Sequence, residues 1–369
     1  MTLQPHQGRI SGSQYLPMTP DNVTWGWLPN ALSRPSARVN SGDTITIDTV
    51  SHEGLMDDQG RDPDAFFARF GVDSCDVLDD GRDIAATLER TLGDGPHLIS
   101  GAVAVNGATP GDLLKIDVLE LRLRADYGVV SSRHGLGSLP GEFPETPPKQ
   151  EGAGREHPEL FHHVSTFTPV DELNGRHYGL MDRHGGAPVR FPLDPFMGVM
   201  AVGSSTEEPV HSTPPGPHAG NIDVKHLIAG STLYIPVQVD EAMFATGDPH
   251  YAQGNGEIAL TAMEASLRGT FRLSVIRRAE AATILGALSE PFAENDTEWI
   301  VIGMHVDLGE AMRAAVRSAI SFLETTQGMD RATAYAYLSA AGDFEVTQVV
   351  DRVQGVHCRI RKRDFRQPV

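Results

Sequence analysis

The chain has 369 residues, enough for two or three domains or for one large composite unit. Hydrophobic residues at 40% and charged residues at 21% are ordinary for a globular protein in water. Lys+Arg of 30 against Asp+Glu of 49 leave a net charge of -19, which repels phosphate backbones and anionic lipids and excludes nucleic-acid and membrane partners in favour of a neutral substrate.

The two cysteines, Cys75 and Cys358, are too few for a disulfide framework and suit a reducing compartment. No run approaches the roughly 18 apolar residues of a membrane span. The start, MTLQPHQGRISGSQYLP, has no apolar signal-peptide core, so the cytoplasm is the expected location.

Taken in order, residues 1–20 read as a loosely held arm, and Trp25 and Trp27 follow as packing residues. Thr44 to Val50 alternates as a strand after Gly42-Asp43, and the same device precedes LLKIDVLEL at Gly111-Asp112. Asp64 to Phe70 and Asp83 to Leu92 are predicted short helices. Gly137 to Pro158, rich in Pro, Gly and Glu, is a long loop that either folds over a site or joins two β units.

Ser231 to Val239 alternates again, with Pro236 assigning it to an edge or a bulge because proline cannot donate to a ladder. A loop is predicted from Thr246 to Gly256, polar and exposed, and then Glu257 to Leu267 fits strand or helix equally. Alternation returns from Gly269 to Val275. Toward the C-terminus, Trp299 to Gly303 is a buried strand, Asp307 and Glu310 form a capping-box-like helix start, and Arg331 to Ser339 is a second helix. Glu345 to Ile360 reads as strand. The helices are scaffolding.

The many short strands entering through tight turns predict a mainly β fold with an α+β C-terminal part, built of β-sandwich-like units joined by long Gly/Pro-rich loops. The expected organisation is 1–136 N-terminal and β-rich, 137–164 connecting, 165–285 β-rich with the site loops, and 286–369 C-terminal and α+β.

Pro214 to Arg277 concentrates the side chains that bind metals or move protons. Asp248 and His250 lie two apart, so an extended backbone points both to one side, and carboxylate plus imidazole suits zinc, with calcium as the alternative. Asp223, after a Gly-Asn turn, is able to fold back onto the same centre. Glu257, beyond the Gly254–Gly256 turn, is a ligand or the general base. A covalent route has no support: neither cysteine sits in a nitrilase-like setting, Gly203-Ser204-Ser205 is not in a long Gly/Ser-rich stretch, and no G-x-S-x-G elbow occurs.

HAGNIDVKHL, STLYIPVQV and GDPHYAQGNGE, in this order, resemble the core of the acetamidase/formamidase family, as do Gly95 to Leu121, PFMGVMAV and LGEAMRAAVRSAISFL. The resemblance implies hydrolysis of small aliphatic amides to ammonia and a carboxylate, and a homo-oligomer. It also implies a site role for His97, as ligand or acid, with His52, Gln253 and Asn255 as further candidates. Three departures stand out. Asn255 replaces the usual aspartate of Gly-Asp-Gly-Glu, Ala219 holds a position usually glycine, and Pro249 and Tyr251 replace small residues, Tyr251 being placed to alter the substrate space. His218 and His226 are read as positioning or structural, and His157, His162 and His163 as a metal cluster by composition only. The rival readings are a non-catalytic binding protein on the same scaffold and a hydrolase of a larger amide.

Overall fold

In the computed structural model, which describes residues 2–91, 93–285 and 290–365, the alternating segments become two large sheets. Leu92, the end of the second predicted helix, lies outside the described residues, as do 286–289 and 366–369 of the C-terminal part. The helix itself runs Asp79–Thr87, and the first predicted helix is Pro63–Ala68, capped by the Asp62 carboxylate accepting from the Ala65 N–H.

The first sheet has nine strands. Its order is Gln14–Leu16, Thr44–Asp48, Leu267–Ile276, Leu113–Leu123, Thr232–Pro236, Phe292–Glu294, Glu298–His305, Gln354–Arg361 and Asp343–Gln348. N-terminal, central and C-terminal stretches thus share one ladder, Thr44–Asp48 pairing with Leu267–Ile276 and Thr232–Pro236 with Phe292–Glu294.

The Thr232–Pro236 strand is interior, which corrects the edge placement read from Pro236. The proline is tolerated because it ends the strand. Pairing with Phe292–Glu294 stops at Tyr234, so no partner on that side needs its missing N–H.

The second sheet runs from Val189–Pro192 through Arg176–Met181, Val164–Leu173, Tyr127–Ser132, Met263–Glu264, Ala245–Ala252 and Phe196–Ala201 to Ala219–Asn221. Strands Val23–Trp25 and Leu98–Ser100 join it from the side, through the pairing of Gly247 with Ile99. Side chains from both sheets meet in one core that includes Ile45, Ile116, Leu233, Phe271, Met197 and Tyr251. The apolar face of each alternating strand is buried here, which is the sandwich the pattern predicts.

The C-terminal helices cover one end of the first sheet. Helix Leu308–Gln327 starts at Asp307, whose carboxylate accepts from the Glu310 N–H, and ends at Gly328 with φ 65. It lies so close to Glu298–His305 that a Cβ on Gly303 would sit 2.2 Å from the Ala315 nitrogen. Ala311, Ala315 and Ala319 face this contact fully buried, small residues permitting the approach. Glu345 to Ile360 is a hairpin, Asp343–Gln348 and Gln354–Arg361, with Asp351 in its turn. No helix among the described residues is long and apolar enough to cross a membrane.

Candidate active site

The segment expected as an exposed loop, Thr246 to Gly256, is a strand as far as Ala252, and its residues through Tyr251 are buried. Gly247, Asp248 and Pro249 are poor strand formers, which is why composition misleads here. Tertiary constraints hold them in the sheet. A Cβ on Gly247 would lie 2.2 Å from the Leu98 carbonyl oxygen, so only glycine lets the crossing strand pass.

Asp248 takes φ 51, and Asp223 and Glu257 are also left-handed, at 48 and 49. Three acids in a region that non-glycine residues rarely occupy is strain concentrated at one place. Ala219, at φ 63, shows why glycine is the usual residue there.

These turns aim the side chains at a common point. His250 Nε2 lies 3.1 Å from Asp248 Oδ2 and 3.0 Å from Glu264 Oε1, while its Nδ1 is 3.9 Å from Asp223 Oδ1. His97 Nε2 and His52 Nδ1 approach Asp248 Oδ1 at 3.8 and 3.9 Å. His52 faces Glu53 with its other nitrogen, at 3.3 Å, and His97 Nδ1 is 2.9 Å from the Ser212 hydroxyl. Gly198 forms the floor: a Cβ there would meet Asp223 Oδ1 at 2.5 Å, Asp248 Oδ2 at 2.6 Å and the His250 ring at 2.7 Å. Any side chain at 198 would fill the space these groups surround.

Polar atoms in this cluster lack hydrogen-bond partners despite burial: both Asp223 oxygens, His250 Nδ1, Glu264 Oε2 and Asp351 Oδ2, while His250 Nε2 lies near two carboxylates without hydrogen-bond alignment. Orphaned buried acceptors are costly unless something else satisfies them. Two groups have ligand atoms mutually within 4.8 Å, His52–Asp248–Glu264 and Asp223–His250–Glu257, adjoining through the His250–Asp248 contact. The donor set, carboxylates with imidazoles, fits a divalent cation.

Burial, then the opposed carboxylates Glu257 and Asp351, pushes Asp223 well above the usual carboxylate range. Burial raises Glu257 likewise and lifts Asp351 to about 8 and Glu264 to about 7, His250 opposing it in each case. Asp248 goes the other way: burial would raise it, but His97 and His250 outweigh that and hold it low. Burial would lower His250, yet Glu264 and Asp248 keep it well above its ordinary value, whereas burial takes His97 down to about 4. The acids cannot all be ionised together, so they share protons or a cation.

The cluster opens into a cavity of about 450 Å³. Lys149, Phe161 and His163 of the Pro/Gly-rich loop line it, so that loop folds over the site. His163 is held by Asp58 at 2.7 Å, and His157, His162 and His163 are not among the described groups close enough to hold a cation.

Three corrections concern site chemistry. Tyr251 does not shape the cavity; its hydroxyl donates to the Ala125 carbonyl at 2.8 Å inside the core. Gln253 Nε2 donates to the Asp223 carbonyl at 3.0 Å, buttressing that turn from outside. Asn255 is exposed and donates to Glu345, away from the cavity. Neither cysteine lines the cavity. Sequence reading missed Glu264 and Asp351. Glu264 sits in the stretch whose period was ambiguous, and Asp351 arrives from a C-terminal hairpin more than ninety residues away in sequence; only the fold brings it in.

Residues 151–358, more than half of the chain, match the Acetamidase/Formamidase family. The chain belongs to this family. Among family relatives, it is 31% identical over 191 residues to a formamidase of Methylophilus methylotrophus, covering 44% of this chain and 47% of the relative. It is 28% identical over 198 residues to an acetamidase of Mycolicibacterium smegmatis, covering 44% and 49%. The matches thus span about half the length of these curated relatives. In fold it is similar to an acetamidase of Bacillus halodurans (TM-score 0.70, 24% identity, 95% of this chain and 98% of that one). A Yersinia enterocolitica acetamidase is similar too (TM-score 0.73, 21% identity, 98% and 95%). The family match includes Asp223, Asp248, His250, Glu257, Glu264 and Asp351, whereas His52 and His97 lie outside it.

Proposed function

We propose that the chain is a cytoplasmic, metal-dependent amidase that hydrolyses small linear amides to ammonia and a carboxylate. The observation that carries the reading is the orphaned acid–imidazole cluster at the end of a cavity, in a chain of this family. Asp223, Asp248 and His250 would hold a divalent cation, zinc ahead of calcium, with Glu264 and His52 in reach. A cation held there would supply Lewis-acid polarisation of the amide carbonyl.

The chain's own residues do the rest. Glu257, raised by burial, takes a proton from the attacking water as its oxygen bonds to the carbonyl carbon. The same proton goes to the nitrogen as the C–N bond breaks, so ammonia leaves and the carboxyl is regenerated as carboxylate. His97, kept neutral by burial and held at Nδ1 by the Ser212 hydroxyl, faces the cavity as a hydrogen-bonding or ligand imidazole, with the proton transfer left to Glu257. The Pro/Gly-rich loop contributes Phe161 to the cavity lining, an apolar surface that limits water beside the substrate.

The test is ammonia release from formamide, acetamide and longer amides, with metal content measured on the same sample. Turnover of a short amide is expected; folded, metal-loaded protein inert across the panel would sink the reading. Glu257→Gln should keep its metal and lose activity. A second reading, a larger amide, is favoured by a 450 Å³ cavity whose lining includes Arg90 and Arg352. Highest kcat/KM on an anionic amide would select it. Self-assembly is part of the proposal, supported by Leu173 and Val189 exposed at the end of the second sheet, and light scattering tests it.

A further inference from the structure

Away from the cavity, His226, Glu345 and His357 form a third group whose ligand atoms lie within 4.8 Å of one another. Glu345 and His357 are directly opposed in the C-terminal hairpin, so their side chains leave the sheet on one face. His226 comes from another part of the chain, three residues after Asp223. The Nε2 atoms of His226 and His357 each lie 3.6 Å from Glu345 Oε2. That is too long for a hydrogen bond. Neither nitrogen has another partner, and His357 is completely buried.

The same molecule shows what a bonded histidine–carboxylate pair looks like, in His163 and Asp58 at 2.7 Å. The wider spacing has a simple explanation. A tetrahedral cation 2.0–2.2 Å from its ligands sets them about 3.4 Å apart. The supports are also those of a built site. Thr347 Oγ1 holds His357 Nδ1 at 2.8 Å, which frees Nε2 as the binding nitrogen, and Arg359 Nε holds Glu345 Oε1 at 2.7 Å, so that Oε2, which also accepts from the Asn255 amide, faces the imidazoles.

We propose that His226, Glu345 and His357 form a second metal site, structural in role and suited to zinc, that pins the C-terminal hairpin to the Asp223 segment. Two imidazoles and one carboxylate are borderline donors that favour zinc over magnesium or calcium. His226 and Glu345, 22% and 17% exposed, leave a fourth position to water. The positive neighbours Arg359 and Lys225 weaken the site relative to an isolated one, and the Asn255 amide, donating to Glu345, lies at its rim.

The placement gives the site a purpose. The hairpin turn delivers Asp351 to the cavity, and the segment before His226 delivers Asp223 to the cluster beside it, with His250 and Glu257. Gln253 already bridges the two, donating to the Asp223 and Thr347 carbonyls at 3.0 and 3.4 Å. A cation here locks together the segments that carry two opposed carboxyls. The inference stands apart from the amidase reading, since it needs no turnover.

The experiment strips the full chain with a chelator, returns zinc sulfate, and measures bound zinc per chain. In a His250→Ala background, adding His226→Ala should remove one equivalent. Equal zinc in the single and double variants overturns the proposal. Cobalt gives a second readout: the intense visible absorption of a tetrahedral site should persist in His250→Ala and vanish when His226→Ala is added. Absence of that band in His250→Ala also counts against it. His357 is too buried to be a safe variant, so Thr347→Val, which removes only its support, replaces it. Zinc affinity should then weaken about 10–100-fold, and unchanged affinity contradicts the assigned role.

Discussion

Two clusters of buried charge occupy this sandwich, and they are built on opposite rules. In the first, Asp48 is gripped by Arg268 through Nε at 2.5 Å and Nη2 at 2.8 Å, Asp80 accepts from Arg124 at 2.7 Å, and Tyr15 donates to Asp48 at 2.6 Å. Two acids meet two guanidiniums; Arg124 also reaches the carbonyls of Thr49 and Leu3 at 3.1 Å through Nη1 and Nε, and its Nη2, though without a hydrogen bond, faces Asp48 at 3.6 Å. In the second, Asp223, Asp248, Glu257, Glu264 and Asp351 crowd around His250 with no lysine or arginine among the described residues paired to them, and several of their oxygens are orphaned. A balanced buried cluster holds segments together; an unbalanced one is shaped around something the chain does not itself supply.

The sharpest test of that contrast is the sign of a stability change. Asp223→Asn should cut ammonia release by about 10²–10⁴. In metal-stripped protein it should leave the melting temperature unchanged or higher, because it removes one of several opposed carboxyls. A large fall in melting temperature would move Asp223 into the class of Asp48. His250→Ala should lose comparable activity and also some stability, since its ring is fully buried and meets Phe196 edge-on at 4.9 Å.

The balanced cluster should respond the other way. Asp48→Asn leaves Arg268 buried without its carboxylate and is expected to cost about 3–5 kcal/mol, with turnover per folded molecule little changed. Urea unfolding beside a specific-activity assay checks both halves. A cost under about 1 kcal/mol would mean the pair is dispensable.

A smaller effect comes from the cavity wall, where Arg133 donates to Asp58 at 2.7 Å. Burial would raise the Asp58 carboxyl, but Arg133 and His163 outweigh it and hold it well below the usual range. A depressed folded value means the ionised pair stabilises the fold fully above the unfolded value of about 3.9 and loses that contribution as pH falls toward the folded one. The stability gap between the parent and Asp58→Asn should therefore narrow from about pH 5 downward. A gap that widens in acid would reverse the assignment.

What the sequence disclosed follows from the range of each signal. Period-two alternation at Thr44, Leu113, Ser231 and Gly269 reports a local backbone with one buried face, and those strands are present. The spacing of Asp248 and His250 places both on one side, and in the structure their side chains lie 3.1 Å apart, although the segment is a buried strand kinked by a left-handed aspartate, not an open loop. Glycine, aspartate and proline at 247–249 read as a turn because their sheet partners are distant in sequence. Asp351 and Glu264 carried no local signal at all. Gly198 did sit within a matched motif, but its meaning, an absent side chain beneath the cluster, exists only in three dimensions.

The smallest predicted effect concerns Asn255, which stands where the family usually has aspartate. Its side chain is outside the cavity and donates to Glu345, so it belongs to neither of the two clusters. Asn255→Asp should therefore change amide hydrolysis by less than about tenfold, or about 1.4 kcal/mol in barrier. The substitution also sets a carboxylate against Glu345 and exchanges a hydrogen bond for repulsion. That cost should appear in metal-free protein as a lower melting temperature, and a bound cation between His226, Glu345 and His357 should reduce it. Measuring turnover and melting temperature with and without zinc separates the two consequences. A gain in turnover of several hundredfold would show that a carboxylate at 255 acts in the reaction, and the boundary of the unbalanced cluster would then have to be drawn to include it.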